Sequence, residues 1–210
     1  MKIESLTKAG KGTDRFTVRF EDAGEINVSA AQIADFSLYT GRELSTDEYG
    51  ALREAAAQNA SKARALRILG SRNISARELE RRLASKGDSA ETAKKTAEWL
   101  EETGLINDAE YAASIVTYYT DKGYGTARIR DELFRRGIPR EISDEVIGDI
   151  SPNDEATFKY LEKRLRGSRD KADLRNAASA LYRRGFSYEE ARAAVNKYLE
   201  HIDSDEHIDQ

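Results

Sequence analysis

The side chains in this sequence that recur in a chemically useful pattern are cations. Cysteine is absent, which excludes disulfides, thiolate zinc sites and thiol catalysis. The 2 histidines, His201 and His207, both fall in the last ten residues and give a histidine-based active site no support. No phosphate-cradling glycine loop follows a strand, and no nucleophile elbow is present. Carboxylates, at 38 residues, are too frequent for any one pair to be informative. By contrast, basic residues stand directly before a glycine three times: Lys86 before Gly87, Arg135-Arg136 before Gly137, and Arg183-Arg184 before Gly185. Arg72, Arg77, Arg81 and Arg82 enlarge the first of these groups. Such a set recognises rather than catalyses. It could form a positive ladder, one rung per repeat, for an acidic protein groove or a phosphate track. It could equally complement helix dipoles, since a cation in a last helical turn contributes about 0.3–1 kcal/mol. Both readings fit the recurrence.

Charge is strongly segregated. The whole chain carries 34 basic and 38 acidic residues, a net of −4. Residues 61–86 hold 8 basic and 2 acidic side chains, residues 121–140 hold 6 and 3, and residues 159–184 hold 9 and 3. These stretches total +15 and leave −19 for the remainder. A general nucleic-acid binder usually shows an overall basic excess, which is missing here. Tyr118, Tyr119 and Tyr124 adjoin the middle basic stretch. Aromatics among arginines can stack on unpaired bases, which makes Tyr124 and Arg128 the nucleic-acid candidates. Tyrosines at helical spacing also serve as core residues with a surface hydroxyl. Trp99, beside Leu100 on an amphipathic stretch, reads as core. Asp203, Asp205, Glu206 and Asp209 lack the turn glycine and ligand spacing of a calcium loop and read as solvated, with no metal site.

The elements that must carry these residues can be read in turn. Phe16, Val18 and Phe20 alternate with Thr17 and Arg19, the period of a half-buried strand. Glu21–Gly24 is a turn, and Glu25–Val28 resumes the alternation. Lys2–Leu6 supplies a third short strand, and a helix follows from about Ser29 to Phe36. From Leu44 onward the pattern is helical. Four segments place an apolar residue, then Ser or Asn, then Glu three positions on: Leu44-Ser45 with Glu48, Ile74-Ser75 with Glu78, Ile106-Asn107 with Glu110, and Phe186-Ser187 with Glu190. Each is a capping box, in which the Ser or Asn oxygen accepts from the first turn and the Glu reaches back. Leu83, Leu133 and Leu181 each precede a glycine by four positions, a stop in which glycine adopts the left-handed conformation.

These starts and stops define three tandem copies of a three-helix unit. The expected fold is mainly α, with three tandem three-helix repeats in an elongated curved array behind a small N-terminal β-rich subdomain. The expected segments are a β subdomain at 1–43, a connecting helix at 44–58, repeats at 59–106, 107–151 and 152–200, and an acidic disordered tail at 201–210. Pro152, between Ser151 and Asn153, punctuates the start of the third copy. No apolar run approaches the length of about 18 residues that spans a bilayer, and MKIESLTKAG lacks the apolar core of a secretory signal. A cytoplasmic monomer without cofactors is expected.

One stretch resembles a known family. Ala63, Leu66, Leu69, Arg72, Ser75, Glu78-Leu79, Leu83 and Gly87, followed by Leu100, Gly104-Leu-Ile-Asn-Asp108 and Tyr111-Ala112, are similar to the first repeat of the RecX regulatory family. Gly137-Ile138, the third three-helix copy and the turn Gly41-Arg-Glu-Leu44 fit it too. The resemblance implies a non-enzymatic regulator that lies along the groove of the RecA–single-stranded-DNA filament. It implies effects on filament growth, strand exchange, ATP hydrolysis and the co-protease activity of the SOS response, most simply inhibition. The motif residues themselves cap helices or fill the core. The candidate RecA-filament contacts are therefore the basic residues Arg72, Arg77, Arg81, Arg82, Lys86, Arg135, Arg136, Arg183 and Arg184. Single-stranded DNA would be met indirectly, through the filament. The alternative is a tandem-repeat DNA-binding protein built of helix-turn-helix-like units.

Overall fold

A computed structural model describes residues 1–10, 14–148, 150 and 153–208. Strands β1 (Ile3–Lys8), β2 (Arg15–Phe20) and β3 (Gly24–Ser29) form an antiparallel sheet in that order. Val18 and Phe20 point inward as their alternation requires, while Arg19 pairs across the strand with Glu25 and the Thr17 hydroxyl donates to Asn27 at 2.9 Å. The short helix α1 (Ala30–Asp35) begins with a capping box in which Ser29 and Gln32 exchange hydrogen bonds. The buried core of this region joins Ile3, Val18, Phe20 and Val28 to Leu38, Leu44, Leu52 and Ala56. Tyr49 packs edge-on to Phe20 at 5.0 Å, and its hydroxyl donates to the Ala23 carbonyl at 3.0 Å.

Helix α2 (Thr46–Leu69) is continuous over 24 residues. The expected connecting helix and the first helix of repeat 1 are thus one element, without a break at residue 59. The reason is local: alanine, the strongest helix former, occupies positions 51, 55–57, 60, 63 and 65, and nothing there caps or interrupts. Eight more helices follow: α3 (Ala76–Ser85), α4 (Ala90–Glu102), α5 (Asp108–Asp121), α6 (Thr126–Arg135), α7 (Arg140–Gly148), α8 (Asp154–Leu165), α9 (Lys171–Arg183) and α10 (Tyr188–Ile208). The repeat rhythm is therefore α2-α3-α4, α5-α6-α7 and α8-α9-α10.

Ser45 with Glu48 and Ser187 with Glu190 form full capping boxes, while Ser75 and Asn107 accept from the first turns of α3 and α5. Gly87, Gly137 and Gly185 end their helices at φ of +95°, +80° and +94°. The chain divides into two compact units, residues 1–73 with 79–105 and residues 74–78 with 106–210. The first unit combines the sheet with most of repeat 1. The second holds repeats 2 and 3, together with the first turn of α3.

In the first unit, α2 and α4 are joined by polar side chains. Thr96 donates to Ser61 at 2.9 Å, Ser61 donates to Asp88 at 2.9 Å, and Arg64 pairs with the same carboxylate. Trp99 is half-buried rather than core, with the Lys62 ammonium 4.3 Å above its ring. In the second unit, repeat 2 closes over Ile115, Ile129, Leu133 and Ile147, and repeat 3 over Leu161, Leu181, Phe186 and Tyr198.

The segment expected as a disordered tail continues α10 to Ile208. Ala191, Val195, Tyr198 and Ile202 extend one apolar stripe into it, His201 packs edge-on to Phe158 at 4.7 Å, and Arg169 pairs with Asp203 at 2.9 Å. Its last two residues and the Ser151-Pro152 boundary lie outside the described residues, as do the side chains of Asp205 and Glu206.

Candidate partner interface

The candidate cations share one structural address, on or beside the second helix of a repeat. Arg77, Arg81 and Arg82 lie on α3, with Arg72 just before it and Lys86 just after; Arg82 is half-buried and the others are exposed. Arg128, Arg135 and Arg136 lie on or after α6, and Arg183 and Arg184 on or after α9. Each of these helices turns a mainly apolar stripe ending in a buried leucine inward (Leu83, Leu133 or Leu181), so i, i+4, i+7 and i+8 positions on the opposite side face solvent. The stripe reads Arg77, Arg81, Ala84 and Ser85 on α3; Ala127, Asp131, Phe134 and Arg135 on α6; and Arg175, Ser179, Tyr182 and Arg183 on α9, all exposed.

The two arginines before each glycine part company. Arg135 is exposed and shares the Glu132 carboxylate with Arg136. Arg183 is exposed and has no ion-pair partner among the described residues. Arg136 turns inward: its Nε donates to Glu132 at 2.8 Å, and its terminal nitrogen donates to the Tyr111 hydroxyl at 2.6 Å. Burial pushes the Glu132 carboxyl up, but the adjoining Arg136 and Arg135 guanidinium groups outweigh it and leave the group below the ordinary glutamate range. Arg184 reaches into the preceding repeat, where it donates to the Gly123 carbonyl at 3.0 Å and to that of Lys122. Its guanidinium lies between the rings of Tyr124, at 4.1 Å, and Tyr160, at 4.4 Å. Arg184 therefore caps the C-terminus of α5 while sandwiched by aromatics.

These contacts belong to joints between successive second helices. The Arg136 carbonyl accepts from the Ser75 hydroxyl at the start of α3, and Asp108 accepts from the Ala76 N–H at 3.0 Å. Asp108 is buried, and the loss of water raises its pKa above the ordinary aspartate value. At the equivalent place, the Arg184 carbonyl accepts from Gly125 N–H at 3.0 Å and the Gly185 carbonyl from Ala127 N–H at 3.1 Å. A Cβ on Gly125 would stand 2.3 Å from the Gly185 backbone, and one on Gly185 would stand 2.3 Å from the Arg128 nitrogen. In this way the C-terminal end of α9 seats on the start of α6, and that of α6 on the start of α3.

Arg136 and Arg184 thus use their guanidinium groups within the chain, and the Tyr124 ring carries Arg184 on one face. Lys86, Arg128, Arg135 and Arg183 remain at the surface, as do Arg72, Arg77 and Arg81. Two residues that charge reasoning does not find stand among them: Phe134 is 77% exposed and Tyr182 is 64% exposed. Both follow the buried leucine of the Leu-x3-Gly stop, a position that must face outward, where repeat 1 has Ala84. Tyr118, also exposed, begins a run of ring contacts through Tyr119 to Tyr124 at 5.4 and 5.3 Å. Among the described residues no helix is long and apolar enough to cross a membrane.

Comparison with known proteins places these features in context. Residues 107–147 match the family described as "RecX, second three-helix domain". "Regulatory protein RecX" of Halorhodospira halophila is 34% identical over 143 residues, covering 67% of this chain and 89% of that protein. Its counterpart in Trichlorobacter lovleyi is 34% identical over 142 residues, covering 63% and 92%. Among solved structures, one titled "Crystal structure of regulatory protein RecX" superposes with a TM-score of 0.72 at 22% identity, covering 95% of this chain and 98% of that one. The structure of RecX from Lactobacillus salivarius gives 0.62 at 22% identity, covering 71% and 98%.

Proposed function

We propose, from the premise that this chain belongs to the RecX family of regulatory proteins, that it is a non-catalytic cytoplasmic protein that binds the RecA–single-stranded-DNA filament and inhibits it. The inhibited activities are strand exchange, ATP hydrolysis and co-protease function. The observation that carries the reading beyond the family name is the outward stripe of the second helices. Side chains able to engage a partner recur there in every repeat, while the helices beneath are locked by leucine packing and backbone joints. A stripe fixed in this way recognises by position, and its cations favour encounter with an acidic surface.

The test adds purified protein to RecA assembled on single-stranded DNA and follows ATP hydrolysis and strand exchange. Inhibition at stoichiometric ratios is expected; no effect would overturn the reading. Charge reversal of Arg77, Arg81 and Arg82 to Glu should weaken filament binding at least tenfold, with helix content by circular dichroism unchanged. Unchanged inhibition by that variant would remove the contact role from α3 while leaving the family reading in place. The DNA-binding alternative predicts affinity for naked DNA that falls steeply with salt. Against it stand the chain's net −4 and the Arg184 guanidinium already stacked on Tyr124.

A further inference from the structure

We propose that Phe134 and Tyr182 are a pair of aromatic anchors that insert into two apolar pockets on one protein surface, each steadied by the arginine that follows it. The inference rests on the filament-binding reading above and names the side chains that would supply most of the affinity. A single exposed aromatic is ordinary on a soluble protein and needs no explanation. Here the same helical position, one after the buried leucine of the stop, carries an exposed aromatic in both repeat 2 and repeat 3, at 77% and 64% exposure. Leu133 and Leu181 beside them are fully buried, so each helix is held firmly and its aromatic projects from a rigid base. Such pre-organised rings surrender little conformational freedom on burial, and aromatics with arginine dominate binding energy at protein interfaces.

Their spacing is set by the joint of α6 on α9. Phe134 lies nine residues from Gly125 and Tyr182 three from Gly185, where those two glycines touch. At 1.5 Å per helical residue these offsets are about 13 and 5 Å, which keeps the anchors within about 25 Å of each other and inside the footprint of a standard protein interface. Charge selects the class of partner. Arg183, beside Tyr182 and without an ion-pair partner among the described residues, calls for a carboxylate at its pocket rim, and Arg135, exposed beside Phe134, can add a second while it shares Glu132. Asp131, exposed one turn before Phe134, interrupts the continuous positive track that a phosphate backbone would need along the stripe, whereas a carboxylate at a pocket rim needs only the one arginine it meets. The arrangement therefore fits an acid-rimmed protein surface better than a nucleic-acid strand.

The test compares Phe134→Ala, Tyr182→Ala, the double variant and Tyr182→Phe with the unaltered protein. Tyr188→Ala, also at an exposed tyrosine but on α10, serves as the control. Affinity for the RecA–single-stranded-DNA filament is measured by co-sedimentation, affinity for a naked labelled oligonucleotide by anisotropy, and folding by thermal denaturation. Each alanine variant should lose about ten- to hundredfold in filament affinity and the double variant more. Tyr182→Phe, which keeps the ring, and Tyr188→Ala should bind as the unaltered protein does, and the melting temperature should not move. If the unaltered protein binds and both alanine variants bind equally well, the anchors are refuted and the filament reading stands. If the unaltered protein does not bind the filament, both fall. If the alanine variants lose naked-oligonucleotide binding in parallel with filament binding, the occupant is nucleic acid and the proposal is overturned.

Discussion

Replacing Gly125 with alanine adds one methyl group to the seat of repeat 3 on repeat 2. The backbone at Gly125 has φ −83° and ψ 167°, open to any residue, so the effect is steric and carries no conformational penalty. The new Cβ would stand 2.3 Å from the carbonyl carbon and oxygen of Gly185 and from the Phe186 nitrogen. Relief to ordinary contact requires the two backbones to part by about 1 Å. The Gly125 and Ala127 hydrogen bonds, now 3.0 and 3.1 Å, would then stretch to about 4 Å and cease to be bonds. Each contributes about 0.5–1.5 kcal/mol, and a charge-assisted contact of Arg184 weakened by the same shift about 1.5–3 kcal/mol. A loss of about 2–5 kcal/mol follows, measured by urea denaturation, with faster hydrogen exchange at the Gly125 and Ala127 amides. Gly50→Ala, in the interior of α2 with nothing within 4 Å of the added methyl, is the paired control and should stabilise by about 0.5–1 kcal/mol. A Gly125→Ala protein within about 0.5 kcal/mol of the original, with both amides still protected, would refute the joint as described.

Arg184→Lys keeps the charge but loses the planar fork held between Tyr124 and Tyr160; it should cost about 1–3 kcal/mol in the same denaturation assay, whereas Arg183→Lys should cost less than about 0.5 kcal/mol. Two carboxylates should respond to pH in opposite senses. The Asp108 pKa is raised in the folded state, so folding binds a proton and stability falls as pH rises through the aspartate range; Asp108→Asn, which retains the acceptor for Ala76, should match or exceed the original melting temperature at pH 7 and lose that advantage near pH 3. The Glu132 pKa is lowered, so its contribution is present above the ordinary glutamate pKa and lost as pH falls through the folded value. Glu132→Gln should therefore cost about 1–3 kcal/mol at pH 7, and the difference should shrink towards pH 3. An unchanged difference between pH 7 and pH 3 for either variant would refute that assignment.

Periodicity and punctuation carry local information, and the features they govern are the ones the sequence reveals. The strand alternation at Phe16–Phe20, the caps at Ser45 and Ser187 and the left-handed glycines at 87, 137 and 185 each depend on a few neighbouring residues. The continuity of α2 is less legible, because the repeat pattern suggests a boundary at residue 59 where alanine propensity carries the helix through. Helical order beyond residue 200 depends on Ile202 and His201 meeting repeat 3, whose Phe158 lies more than forty positions away. Long-range contacts likewise decide how the two adjacent arginines of each pair differ. Adjacent residues on a helix point about 100° apart, so one faces solvent and the other the protein. Only the fold shows that Arg184 finds carbonyl partners 61 and 62 residues earlier in the chain. Charge patterning does not mark Phe134 and Tyr182; their place after the buried leucine marks them only when the outward face of the helix is known.

The joints between second helices also decide what rearrangements the gene could tolerate. At the start of α3 the seat is Ser75, whose hydroxyl forms the bond to the repeat behind it; at the start of α6 it is Gly125, where no side chain fits. The arginine that arrives differs as well, Arg136 staying within its own repeat and Arg184 crossing to the one before. Repeat 3 is keyed to repeat 2 and would meet a serine it cannot accommodate if it were spliced directly behind repeat 1. A duplicated module would likewise present the wrong key to its neighbour. Unlike a solenoid of consensus units, whose modules are interchangeable, the second unit joins its helices through seats that differ from one another in chemistry.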